Sequence, residues 1–63
     1  MELTNQLHEA LKYAARNEGT LHTVDFERMK EYRELEISGL IILDQKALGM
    51  GITHITDLGK SYL

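Results

Sequence analysis

Leu3, Leu7, Ala10, Leu11 and Ala14 recur at spacings of three and four, while Asn5, His8, Glu9, Lys12 and Arg16 fall between them. That period puts the apolar side chains on one stripe of a helix over residues 3–17. Gly19 lies just beyond, where a positive φ closes a helix easily, and Arg16 suits the carbonyl end. Residues 19–22 read as a short connector, with an extended stretch near Leu21 and His22 able to add an edge strand. The second helix is predicted over residues 24–38, with the Thr23 hydroxyl as its cap and Asp25 in its first turn. Phe26, Met29 and Ile37 share one face of it and are expected to point inward, with Val24, Tyr32 and Leu35 widening that face. Glu27, Lys30, Glu31 and Glu34 take the opposite arc, and Arg33 and Glu36 interrupt the apolar one.

After Ser38 and Gly39 the period changes. Residues 40–43 are Leu-Ile-Ile-Leu, branched and apolar, as in a buried strand. Residues 44–51 carry charges and two glycines, the makeup of a hairpin loop. Residues 52–56 alternate imperfectly: Ile52, His54 and Thr56 share a face and Ile55 is out of phase, which leaves room for a bulge. Thr56 or Asp57 then caps a last short turn, in which Leu58 and Tyr62 sit four apart and are expected to pack inward. Gly59 is expected to weaken that turn by under about 1 kcal/mol relative to Ala. The order is helix, helix, strand, loop, strand, short helix. The fold class is α+β, with two main helices packed on a small antiparallel hairpin.

Length and charge narrow the picture further. Sixty-three residues make one domain, 1–63, with a core that leaves little margin, so a partner subunit fits its size. There is no cysteine, hence no disulfide and no thiolate metal site. The start is neither basic nor continuously apolar, unlike a signal peptide, and the longest apolar run is far short of the roughly 20 residues of a membrane span. A cytoplasmic, soluble protein without membrane contact is expected. Ten acidic and seven basic side chains give a net charge of -3, which disfavours general nucleic-acid binding.

The residues Glu34-Leu35-Glu36-Ile37-Ser38-Gly39-Leu40-Ile41 resemble the place where a winged helix-turn-helix domain leaves its last core helix for the wing hairpin. Ile55-Thr56-Asp57-Leu58-Gly59-Lys60-Ser61-Tyr62-Leu63 resembles the end of that wing and the closing helix after it. The resemblance covers about the C-terminal half of the chain and is closest to reduced forms such as small phage or prophage proteins. It implies a wing that grips the phosphate backbone and a preceding helix that reads the major groove. The family places three helices before the wing. Here one helix fits between Thr23 and Ser38, so the helix-turn-helix is either compressed into two short helices or lacks a member. The helix in the reader's position also carries Glu27, Glu31, Glu34 and Glu36, which phosphate repels.

Catalytic chemistry finds no footing in the pattern. Ser38 and Ser61 sit at a helix end and in a terminal turn, with no local His and Asp to activate them. His8, His22 and His54 are too scattered for a local metal motif, although His22, His54 and Asp57 could meet only through the fold. Gly49 and Gly51 flank Met50 without the spacing of a phosphate loop. No catalytic residue, metal, cofactor or small-molecule substrate is expected. The expected function is a non-enzymatic protein-interaction or regulatory module, with Glu27, Lys30, Glu31, Glu34 and Met50 as its partner surface. Leu3, Leu7, Leu11 and Tyr13 on the first helix would pair two copies as a homodimer. The alternative is a winged-helix DNA-binding regulator that uses Arg28, Arg33, Lys46 and Lys60 from the second helix and the wing.

Overall fold

A computed structural model describes residues 2–63. The order is α1 (Asn5–Arg16), β1 (His22–Thr23), α2 (Phe26–Ile37), β2 (Ile41–Ala47), β3 (Met50–Ile55) and α3 (Asp57–Lys60). The three strands form one antiparallel sheet in the order β1-β3-β2, so the last strand in sequence is the central one. Two main helices, a hairpin wing and a short closing helix make an α+β fold of winged-helix-like form. One helix, rather than two short ones, fills the stretch between β1 and the wing.

Each helix starts on a side-chain oxygen. Thr4 accepts from the amide of Leu7, Asp25 from Arg28 and Thr56 from Gly59. These contacts satisfy amides that the first turn leaves without a partner. Asp25, rather than Thr23, therefore caps α2, because Thr23 is held in β1 opposite Met50. The hairpin is longer than the charge pattern predicts. Its strands run through Asp44, Gln45 and Lys46, and only Leu48 and Gly49 turn the chain, with Gly49 at a φ of 77°. Charged side chains on a two-sided ribbon can face water without breaking the ladder. The register shifts between Gln45 and Ala47, so the irregularity lies in β2 and not in β3.

The core is built from Ala10, Leu11 and Ala14 of α1, Tyr32 and Leu35 of α2, and Val24, Leu40, Ile41 and Ile55. On the sheet's inner face, Ile41, Thr53 and Ile55 are buried beside Gly51; on the outer face, Ile42, Asp44 and His54 are exposed. The Thr53 hydroxyl donates to the carbonyl of Ala14 at 3.0 Å and pins the end of α1 to the central strand.

The α2 helix turns the other way from its sequence expectation. Phe26 and Ile37 do share a face, but it looks outward, with Phe26 81% and Ile37 86% exposed. The buried side is that of Tyr32 and Leu35, with Arg28 half-buried along it. Leu58 likewise stays about half exposed, and Gly59 is the buried residue of α3.

Two glutamates close gaps in the sheet. The backbone groups of Ile55 and Thr53 that point away from β2 meet the loop after α1: Glu18 accepts from the Ile55 amide at 2.9 Å, and the Gly19 amide donates to the Thr53 carbonyl at 2.9 Å. By the alternation of an antiparallel ladder, their partners Ile41, Leu43 and Gln45 turn their backbone groups to the free edge of β2. Among the described residues only the Leu43 amide has a partner there, the Glu36 carboxylate at 3.1 Å. Glu36, which looked like an interruption of an apolar face, is an edge cap supplied by α2.

Candidate functional site

Two grooves flank α2. The first, about 430 Å³, lies between α2 and the start of α1 and is lined by Thr4, Gln6, Leu7, Glu27, Lys30, Glu31 and Glu34. It gathers four of the five residues expected to meet a partner. Met50 is not among them: it is half-buried in β3, and the Thr23 hydroxyl lies 3.8 Å from its sulfur. The apolar residue at the hairpin tip is Leu48, 97% exposed, which the emphasis on Met50 passed over.

The second groove, about 300 Å³, lies between α2 and the hairpin turn. Val24, Phe26, Met29, Leu48 and Gly49 form its apolar wall, and Asp25, Arg33 and Gln45 supply its polar atoms. An Asp25 carboxylate oxygen is engaged by the Arg28 amide at 2.8 Å. Lys30, on the same exposed stripe as Phe26, sits 5.9 Å from that ring. Phe26, Lys30, Arg33 and Ile37 recur at spacings of three and four, so they lie along one line of α2. Phe26 and Leu48 are thus large apolar groups left in water on the walls of one groove, and Ile37 is a third at the far end of the α2 stripe.

The four basic residues of the DNA-binding alternative do not gather. Arg28 and Arg33 are five positions apart, about 140° around a helix of 3.6 residues per turn. Arg28 turns toward α1, with its guanidinium 4.5 Å over the Tyr13 ring and 3.2 Å from Glu31. Lys46 pairs with Asp44 at 2.8 Å on the hairpin, and Lys60 lies on α3. Only Arg33 opens onto the α2 and hairpin face. Of the residues expected to pair two copies, Leu11 is fully buried inside the protomer and is corrected to a core residue. Leu3, Leu7 and Tyr13 are partly buried against that same core.

The histidines separate as well. His22 sits opposite Gly51 on the inner face, whereas His54 is three residues further along β3 and points out. The two cannot share a ligand with Asp57, and among the described residues no group of three His, Asp or Glu side chains could hold a metal. Among the described residues, the buried Nε2 of His8 has no hydrogen-bond partner. His22 has a structural task. Its Nδ1 lies 2.8 Å from the Thr20 carbonyl, which can only accept, so Nδ1 carries the proton. In the neutral ring its Nε2, 3.0 Å from the Tyr32 hydroxyl, then accepts. Tyr13 and Tyr32 meet the imidazole edge-on from two sides.

Burial pushes the Tyr32 phenol well above its ordinary range, and the Arg28 charge opposes this only in part. The folded state then keeps a proton that the unfolded chain sheds above about pH 10. Stability is therefore expected to fall by about 1.4 kcal/mol per pH unit beyond that point. Urea unfolding across alkaline pH checks this, and Tyr32→Phe should remove that part of the slope.

Comparison of the chain with family models, with curated proteins and with solved structures gives no match. No helix among the described residues is long and apolar enough to cross a membrane.

Proposed function

We propose that this protein is a non-enzymatic protein-interaction module that docks through the outer stripe of α2 and the hairpin turn. The observation that carries the reading is the exposure of Phe26 and Leu48, which line one groove, with Ile37 exposed further along the same stripe of α2. In a winged-helix-like fold that face belongs to the helix before the wing, where a DNA reader needs cations and hydrogen-bonding groups to reach phosphates and base edges. Here Lys30 and Arg33 share the stripe with two large apolar side chains, an apolar wing tip stands beside it, and glutamates run along its flank. Water gains when such groups are covered, by about 1.5–3 kcal/mol for each one fully buried.

Self-pairing, if it accompanies this role, belongs to the same face rather than to α1. A standard interface covers about 800 Å² per partner, roughly a fifth of the 4101 Å² surface. The Leu3, Leu7 and Tyr13 side chains already lean on their own core and leave little apolar area for that.

A photo-crosslinking amino acid in place of Leu48, introduced in the protein's native cells, tests the reading. The expected result is a discrete adduct with a protein, lost when Phe26→Ser is added and absent when the probe replaces Leu58 on α3. Adducts to nucleic acid, or a duplex-DNA affinity that falls steeply with salt and with Arg33→Ala, would instead establish the regulator.

A further inference from the structure

The docking face has a strand edge as one of its borders. The second groove runs from the Phe26 and Met29 side of α2 to Gln45 and Leu48 of the hairpin, and the outward backbone of β2 lies beside it. β2 is an edge strand whose ladder is regular from Ile41 to Gln45, before the register shift, and among the described residues only the Leu43 amide of its outward amides at Ile41, Leu43 and Gln45 is occupied, by Glu36. An edge strand of this length next to a helix-lined apolar groove accepts an extended peptide as an additional strand, with main-chain hydrogen bonds giving affinity and side-chain pockets giving selectivity. Glu36 closes the edge at its middle, so the open part is the end near the turn, where the groove lies.

Charge chooses the guest. Arg33 is the one cation lining this groove, it is exposed, and no carboxylate lies within ion-pairing distance of it among the described residues. The single anion of the lining, Asp25, keeps its charge but caps the start of α2, eight residues and about 12 Å of helix rise from Arg33. A guanidinium at the rim of an apolar pocket is matched by a carboxylate, which it can hold through two parallel hydrogen bonds.

We infer that the groove between α2 and the β2 edge binds an extended segment of another protein that carries one large apolar residue and one acidic residue two positions apart. Alternate side chains of a strand share a face, so an i, i+2 pair enters together. The apolar member fills the pocket of Val24, Phe26, Met29 and Leu48, the acidic member meets Arg33, and the main chain pairs with the outward groups of Gln45 and the carbonyl of Leu43. This rests on the docking function proposed above and adds to it the chemistry and conformation of the partner.

Selection of a displayed random-peptide library on the intact protein tests it. The enriched peptides should share a large apolar residue two positions from Asp or Glu, and adding one to isotope-labelled protein should shift the amides of Gln45, Leu48 and Met29. Arg33→Glu should weaken that peptide at least about tenfold, the scale of a hydrogen-bonded charge lost, and favour its lysine counterpart. Leu48→Asp should weaken both peptides. Enrichment of basic or purely apolar peptides on this face would overturn the acidic-strand inference and leave the docking function standing. The same holds if the face proves to be covered by a second copy, seen as a dimer in sedimentation that Leu48→Asp dissociates. Peptides that shift only the groove of Glu27, Glu31 and Glu34 would overturn both.

Discussion

Gly59→Ala is expected to unfold a large part of the population at room temperature. A methyl group at this position would run into the Leu40 carbonyl oxygen and would press on a methyl of Ile55 at 3.0 Å. The carbonyl is held in place by the Thr56 amide, which donates to it at 3.1 Å, while the one proton of the Thr56 hydroxyl goes to the neighbouring Gly39 carbonyl at 2.6 Å. Thr56 is itself fixed as the cap of α3, with its hydroxyl oxygen 3.0 Å from the Gly59 amide. Overpacking against backbone costs about 3 kcal/mol, and a core of this size rarely supplies more than about 3–5 kcal/mol in total. Lys60→Ala, one residue on and exposed, should change stability by less than about 0.5 kcal/mol. Urea titrations followed by circular dichroism compare the two. A Gly59→Ala midpoint equal to that of the parent would mean that α3 does not approach Leu40 this closely.

The second large effect belongs to Tyr32, the largest fully buried side chain. Tyr32→Ala empties the space between α2, α1 and β1 and should cost about 3–5 kcal/mol, the range for a buried aromatic ring. Tyr32→Phe keeps the ring and removes one hydroxyl, which leaves His22 Nε2 inside the protein without its donor. That penalty is about 1–3 kcal/mol. The pair of variants separates packing from hydrogen bonding. If Tyr32→Phe unfolds at the parent's urea concentration, the contact with His22 contributes nothing and the ring alone holds α2 in place.

Tyr32 also shows why part of this fold could be read from the chain and part could not. The α1 helix was legible because Leu7, Ala10, Leu11 and Ala14 state one face without ambiguity, and the hairpin was legible from its branched residues and glycines. The inward side of α2 was not. Local pattern centres the apolar arc on Phe26 and Ile37 and puts Tyr32 and Leu35, which are the buried pair, only at its side. What decides the matter is a hydrogen bond to His22, ten residues earlier, and a close seat against α1, neither of which has a local signature. The glutamates divide in the same way. Glu27, Glu31 and Glu34 share one arc as their spacing suggested, and the fold makes it the wall of a groove, whereas Glu18 and Glu36 serve backbone amides 37 and 7 residues away. Gly59 misled for a different reason: propensity describes a glycine's cost within its own helix and says nothing of a carbonyl arriving from Leu40. Of the candidate site, the apolar groove was hidden because Phe26 was assigned to the core and Leu48 lay in a loop where Met50 drew the attention.

The place of β3 in the middle of the sheet has a consequence for how the chain matures. Strands β1 and β2 each lie against β3 and not against each other. While a nascent chain ends before Met50, both wait without a neighbour, and the inner sides of α1 and α2 have only one another to cover them. Synthesis of the final strand completes both pairings at once, so assembly should be abrupt rather than stepwise. Fragments stopped short of that point should be prey to proteases, and a pulse-labelled series of stalled chains would show protection rising in a single jump.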